Sequence, residues 1–313
     1  MKNISPFLYL ISVALFMLTA CGKATPTAPP LPPSKTPMTS TNTPTPQPTE
    51  TIIPTPTLGI GSIMNSEKDG ATLVYVPEGE FTMGSDSSDP SGEKPEYQVD
   101  LDAFWIDQTE VTNKQYAACV SGAGCTPPSN TSSYTRSSYY GNTEFDEFPV
   151  IYVDWNQANA YCSWAGRELP TEAQWEKAAR GTDANIYPWG NDTPNKDLLN
   201  YNREVGDTTK VGSYETGKSF YGAYDMAGNV WEWVSSLNVP YPYDATDGRE
   251  NLDSSDPRVL RGGSWYGDYG GGYVRSAFRN WSNSAYSVRS AFRNGSGPAD
   301  SYLDLGFRCA RSP

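Results

Sequence analysis

The chain has 313 residues, with 23 Lys and Arg against 36 Asp and Glu and a formal net charge of −13. A nucleic-acid backbone is held by a surplus of Lys and Arg that releases counterions, so this balance argues against a nucleic-acid partner. No histidine is present, which removes His-dependent nucleophilic triads, imidazole metal sites and a histidine pH switch together.

Residues 1–21, MKNISPFLYLISVALFMLTAC, place Lys2 ahead of an apolar run from Phe7 to Leu18 that is short for a membrane span. The run ends in Leu18-Thr19-Ala20-Cys21. This is the pattern of a secretory signal. Its small residues before a cysteine resemble the bacterial lipobox, with Cys21 carrying lipid at the new N-terminus. Residues 22–69 read as a stalk, since 22–59 is dominated by Pro and Thr. Such a segment favours polyproline II at about 3.1 Å per residue and could hold a domain up to about 100 Å from a membrane. The expected location is the cell envelope, extracytoplasmic and anchored to the membrane through lipid.

From about residue 70 to 313 the composition becomes that of one folded domain, rich in Trp, Tyr and turn residues. ATLVYVP (71–77) is a β-rich run closed by proline. YQVDLDAFWI (97–106) alternates Val99, Leu101 and Ala103 with polar residues, as one half-buried strand should. Three helices follow. Thr112 caps NKQYAACV, Asp154 caps WNQANAYCSWA up to Gly166, and Thr171 with Gln174 forms a capping box for EAQWEKAAR up to Gly181. Beyond Gly181 the sequence offers only short strand-like pieces, Gly-Asn-Asp turns and aromatics. The expected class is α+β, with short helices on twisted antiparallel strands and little regular secondary structure.

If Cys21 is lipidated, Cys119, Cys125, Cys162 and Cys309 remain as an even set in an oxidising compartment. Four cysteines allow three connectivities. The preferred one is a local Cys119–Cys125 clip around Ser-Gly-Ala-Gly with Cys162 joined to Cys309. A four-thiolate zinc site is the competing reading, but the usual short paired spacings are missing.

In order along the chain, VYVPEGEFTMGS, EKPEYQVDLDAFWIDQTEVTNKQY, FPVIYVDWNQANAYCSWAGRELPTEAQWEKAARG, YPWGND, YGAYDMAGNVWEW, RVLRGGSW and LGFRCAR resemble the formylglycine-generating enzyme (sulfatase-modifying factor) family. The resemblance covers about Ala71 to Arg311. It implies a fold related to C-type lectins and supports the Cys162–Cys309 bridge. It also implies where chemistry would sit: the enzyme uses two cysteines five positions apart, which bind copper because soft thiolates hold Cu(I). The second cysteine's place falls here on Ser276 or Ser290, and five residues earlier stand Gly271 or Ala285. No register recovers a thiol, so copper is not expected. Iron-dependent relatives need histidine ligands, which this chain lacks. Tyr97 and Tyr152 stand where the family often has histidine and keep aromatic bulk.

The resemblance does carry over structural calcium. DMAGNVWEW places Asp225, Gly228, Val230 and Glu232 where the family supplies one Ca²⁺. A second set uses Asn200, Tyr201, Asp207 and Thr209. Calcium accepts many oxygens in flexible geometry, which loops of this kind provide.

Near the C-terminus, Val274-Arg-Ser-Ala-Phe-Arg-Asn280 recurs as Val288-Arg-Ser-Ala-Phe-Arg-Asn294, 14 positions on, while Trp281, Asn283 and Tyr286 meet Gly295, Gly297 and Asp300. A fixed frame with exchangeable Tyr, Trp, Asn, Ser, Gly and Asp resembles the variable region of diversity-generating-retroelement target proteins, some of which are lipoproteins with this fold. Tyr and Trp offer rigid contact area at small entropic cost, and Ser, Gly and Asn adapt their hydrogen bonds. Within a variable-type region of about 265–302, the expected ligand face comprises Trp265, Tyr266, Asp268, Tyr269 and Tyr273. It continues through Trp281, Asn283, Tyr286, Asp300 and Tyr302. Arg275, Arg279, Arg289 and Arg293 are expected to pair with buried carboxylates or carbonyls and hold that face in place. The function expected is a non-catalytic, lipid-anchored protein binding an extracellular protein or glycan. The alternatives are a formylglycine-generating oxidoreductase or sulfatase maturation factor, and a structural spacer.

Overall fold

The structure, a computed structural model, describes residues 58–86, 92–266 and 287–313. The folded domain begins earlier than the sequence implied. β1 (Ile63–Asn65) pairs antiparallel with β2 (Thr72–Val76), with Ile63 opposite Val74. The boundary that gave residues up to 69 to the stalk and began the domain at 70 is therefore corrected, because residues 58–69 are part of the fold. The turn between these strands closes as Ser66 N–H donates to Ala71 and Gly70 N–H to Ser66. Gly70 takes φ 72° there, a left-handed conformation that glycine adopts without a Cβ clash. Asp69 is thereby turned inward, where the Tyr161 hydroxyl donates to it at 2.6 Å and buried Arg167 pairs with it.

The stretch 97–106, read as one strand, is two. β3 (Gly79–Met83) and β4 (Tyr97–Leu101) form their own antiparallel pair, and Val99 and Leu101 pack inward as expected. The chain then leaves that sheet, and β5 (Phe104–Asp107) runs beside β2 with all four residues buried. A strand covered on both faces loses the polar–apolar alternation that marks a half-buried one.

The three helices form where their caps predicted: α1 (Asn113–Ser121), α2 (Trp155–Trp164) and α3 (Glu172–Arg180). Each carries a full capping box, with Thr112, Asp154 and Thr171 accepting from the N3 amides of Gln115, Gln157 and Gln174. These bonds satisfy amides that would otherwise have no partner in the first turn.

After α3 the longest strand, β6 (Trp231–Leu237), is buried throughout. It lies between β7 (Arg258–Arg261), which continues to β8 (Asn294–Ser296), and β9 (Leu305–Phe307), to which it runs parallel. The final strand β10 (Ala310–Arg311) returns to β5 and completes the sheet β1-β2-β5-β10. Indole N–H groups tie the core to the backbone: Trp155 donates to Val234 O at 2.9 Å and Trp233 to Val153 O at 3.1 Å. Buried indoles need such acceptors. Both preferred disulfides are present, Cys119–Cys125 at the end of α1 and Cys162–Cys309 joining α2 to the segment after β9. The fold class is α+β.

Candidate functional site

The second copy of the repeat is sunk into the scaffold. Val288 and Ala291 are buried, Ser290 N–H donates to Ile186 O at 2.8 Å, and Arg261 donates to the carbonyls of Ser290 and Phe292 at 3.0 Å each. Gly263 allows this approach, since a Cβ there would lie 2.7 Å from the Ser287 carbonyl. Arg289 forks onto the buried carboxylate of Glu93 at 2.5 and 3.1 Å. Arg293 forks onto Glu172 at 2.6 and 2.9 Å and donates to Val239 O. Paired N–H···O bonds of this kind fix orientation as well as adding energy, so the pairing with buried carboxylates expected of Arg289 and Arg293 is present. Arg275 and Arg279 lie outside the described residues.

Below the frame, Glu172 and Glu176 share Arg261, Arg293, Arg180 and the Tyr241 hydroxyl. Burial works to raise Glu176, but Arg261 and Arg180 outweigh it and hold its carboxyl below the usual range. Sequence reasoning missed the sockets Glu93, Glu172 and Glu176. The two on α3 fall in EAQWEKAAR, read from the sequence only as a capped helix, and only the framed arginines hinted that carboxylates must meet them.

Ser290, one of the positions implied for a copper thiol, is fully buried and its hydroxyl has no hydrogen-bond partner. Gly271, Ser276 and Ala285 lie outside the described residues. The four cysteines among the described residues are all in disulfides.

Of the expected ligand face, Asp268, Tyr269, Tyr273, Trp281, Asn283 and Tyr286 lie outside the described residues, as does Cys21. Trp265 is a correction: it has no exposed surface. It packs beneath Tyr134 and Tyr266, with ring centroids 5.5 and 5.0 Å away. Tyr266 is half-buried, with the Arg203 guanidinium 3.9 Å from its ring. Asp300 shapes a turn, accepting from Gly297 N–H at 2.8 Å and Ser296 Oγ at 2.7 Å. Tyr302 is half-buried against the core around α2. Tyr134, which the sequence gave no reason to single out, is exposed beside Tyr266. It rides on a loop whose Ser133 and Thr135 both donate to Asp207. Tyr97 is scaffold, edge-on to Tyr241 at 5.4 Å and accepting from Tyr243 N–H. Tyr152 is half-buried.

The two calcium sets lie side by side, because Asn229 N–H donates to the Asn200 carbonyl. A Cβ on Gly228 would come within 2.4 Å of that same carbonyl, so only glycine fits there. Asn200 Oδ1 is buried without a donor, as an oxygen meant for a cation would be. Asp207 is busier: Oδ2 takes the Ser133 and Thr135 donors, and Oδ1 accepts from Thr208 N–H with Arg136 3.3 Å away. These donors hold its carboxyl below the ordinary range against the effect of burial. Tyr201 O accepts from Glu204 N–H, and Thr209 N–H donates to Asn229.

Glu232, expected among the calcium ligands, is buried and bonded to protein donors. Its oxygens accept from Arg308 Nε and Nη2 at 2.7 Å each and from the Trp175 indole at 2.8 Å. Asp225 instead stands beside Glu110, and burial raises the pKa of both. Val230 is buried at the head of β6. Among the described residues no three His, Cys, Asp or Glu side chains form a metal-holding group.

The model of the sulfatase-modifying factor enzyme 1-like domain matches residues 60–313. A protein of Bos taurus named inactive C-alpha-formylglycine-generating enzyme 2 is 33% identical over 300 residues, covering 81% of this chain and 90% of that one. Hercynine oxygenase of Mycolicibacterium smegmatis is 33% identical over 268 residues, covering 73% of this chain. The chain spans only 62% of that enzyme's length. The solved structure of Treponema denticola variable protein 1 shares the fold, with TM-score 0.60 and 24% identity over 80% of this chain and 99% of that one.

Proposed function

Because the chain belongs to the sulfatase-modifying factor enzyme 1-like family, whose members include both enzymes and a protein named inactive, we propose that it is a non-catalytic, lipid-anchored, extracytoplasmic ligand-binding protein. On this reading a variable C-terminal surface is displayed on the enzyme-like scaffold and recognises an extracellular protein or glycan. The observation that carries it is the frame: a repeated Arg-Ser-Ala-Phe-Arg segment is docked on Glu93 and Glu172 with a buried serine at a thiol position. The remaining cysteines of the domain are in disulfides and histidine is absent, so neither a copper-thiolate nor an imidazole-iron centre has ligands. The shared fold with a Treponema variable protein supports display as the use of this scaffold.

Oxygen uptake and aldehyde formation with a cysteine-containing sulfatase peptide test this directly. The expected result is none, and turnover would overturn the reading in favour of the formylglycine-generating alternative, which the enzyme relatives keep in view. Diversification has its own test, a near-copy of the DNA for residues 265–302 that differs mainly at adenines and lies beside a reverse transcriptase. Cys21→Ala is expected to release the protein from membranes. Structural calcium is part of the proposal, supported at the second set by the unpartnered oxygen of Asn200.

A further inference from the structure

We propose that Asn294, the last residue of the seated frame, is a site of self-modification: the Gly295 amide closes on its side chain, and the residue is converted to aspartate and isoaspartate. Asn294 is the one asparagine in the chain that precedes glycine. It opens β8, which stands at the edge of its sheet among the described residues, and it is only half-buried. There Gly295 N–H donates to Asn294 Oδ1 at 2.8 Å, so the amide nitrogen lies against the carbonyl it would attack. Holding two reacting groups together makes their encounter unimolecular. Glycine leaves that nitrogen unshielded, and packing demands glycine, because a Cβ on residue 295 would come within 2.1 Å of Asn238 Nδ2. Neither Asp-Gly pair of the chain shares this geometry. Asp69 Oδ1 accepts from Ala71 N–H at 3.2 Å and Asp247 Oδ1 from Arg249 N–H at 2.9 Å, in each case the amide two residues on. Asp207 does accept from the next amide, but an ionised carboxylate resists attack and the next residue is the β-branched Thr208.

The chemistry needs only the chain and water. Gly295 N forms a bond to Asn294 Cγ, the Cγ–Nδ2 bond breaks, and the proton of the Gly295 amide leaves with Nδ2 as ammonia. Water then opens the cyclic imide at one carbonyl or the other. One opening gives Asp, and the other gives isoAsp, whose main chain runs through the side-chain carbon and is a methylene longer. Asn294 lies opposite Leu260 in the β7–β8 ladder and directly after Arg293, whose fork on Glu172 seats the frame. An added methylene moves the rest of an edge strand out of register with its partner, so isoAsp at this position loosens the seat. The reaction does not depend on what the C-terminal surface binds.

The test keeps the folded full chain for days at physiological temperature and mildly alkaline pH, then digests it, weighs the peptides and assays them for isoAsp. The peptide holding Asn294 is expected to gain the mass difference between amide and acid, to split into Asp and isoAsp forms, and to release ammonia in equal amount. Asn280, which precedes Trp281 in the first copy, should keep its amide over the same interval. Asn294→Gln, whose longer side chain would have to close a larger ring, should gain no mass there. Aged wild type should unfold at a lower temperature than fresh protein, while aged Asn294→Gln should not. Asn294→Asp carries the new charge without the added methylene and should lose less than the aged protein. If the Asn294 peptide stays unmodified in the folded chain while it reacts in urea, the fold protects the site and the proposal fails. Equal modification of Asn280 and Asn294 overturns the roles given to Gly295 and to the 2.8 Å contact. An unchanged Tm in fully modified protein overturns the loosened seat.

Discussion

Two buried charge clusters lie in this domain, and they are balanced in opposite ways. Beneath the frame, Glu172 and Glu176 meet three guanidinium groups, from Arg180, Arg261 and Arg293. At the head of β6, Glu110, Asp225 and Glu232 meet one, from Arg308. The first cluster tolerates its surplus because a guanidinium is a fan of donors and the backbone is rich in acceptors. Arg180 donates to the carbonyls of Gly84 and Ala184, Arg261 to Ser290 and Phe292, and Arg293 to Val239. The second cluster has no such outlet. A carboxylate can only accept, and Glu110 takes the Asn229 amide and Asp225 the Gly212 N–H, neither of which carries a charge. An arginine surplus can thus be absorbed by the main chain, whereas a carboxylate surplus calls for a proton or a metal ion.

The balanced cluster is the one to break hardest. Glu172→Ala removes the fork beneath Arg293 and one partner of Arg261, leaving guanidinium charge buried without its counterion. Breaking a buried pair from one side costs about 3–5 kcal/mol, and urea unfolding of the variant should show a loss of that size. Arg293→Lys is the sharper comparison. It keeps the charge but cannot fork, so a smaller loss of about 1.5–3 kcal/mol is expected, the worth of hydrogen bonds to a charged group. Equal losses in the two variants would mean that charge is immaterial and that packing under the frame carries the effect.

A lone buried acid gives a milder test. Burial pushes Asp304 up to about 6, with the Ser264 hydroxyl at 2.6 Å opposing the shift. An acid whose pKa is raised by folding holds its proton more tightly in the folded state. Its contribution is therefore present below the unfolded value near 3.8 and is lost as pH rises through about 6. Above that the charge sits buried at a cost. Asp304→Asn, still able to accept from Ser264, should stabilise the protein by about 1–3 kcal/mol near neutral pH and by nothing below about pH 4. Thermal unfolding at the two pH values checks it.

What the sequence made legible was local. The caps Thr112, Asp154 and Thr171, the β2 run and the two disulfides were readable because each rests on residues a few positions apart or on a small even set of cysteines. The motifs shared with a known family placed the fold. Buried central strands were not readable: β5 was merged with β4, and β6 went unnoticed behind the metal motif that overlaps its first residues, since neither strand alternates. The hairpin at residues 63–76 was missed because Gly70 was read as the start of the domain, when it is a turn inside it. The charged sockets were hidden for a different reason. Glu93 and Glu172 are paired with residues 196 and 121 positions away, and no spacing rule reports a partner at that range. Trp265 misled because a tryptophan beside a variable segment looks alike whether it underlies the surface or forms it.

Only a modest effect is expected where the sequence changes most. Deleting residues 281–294 removes one whole 14-residue unit and joins Asn280 to Gly295, yet Val274-Arg-Ser-Ala-Phe-Arg-Asn280 then precedes Gly295 just as Val288–Asn294 does in the intact chain. The sockets receive the same side chains: two arginines for Glu93 and Glu172, and Val, Ser and Ala for the buried positions now held by Val288, Ser290 and Ala291. The buried group that does change is Ser287, whose place before the frame passes to Tyr273, so a loss of about 1–3 kcal/mol, the cost of overpacking, is the most that is expected. Placing Glu at both framed arginines of the shortened chain should then cost at least as much as Glu172→Ala, because like charges would face one another in the sockets. If the deletion alone is strongly destabilising, the two copies are not equivalent, and residues 281–287 are needed to seat the frame.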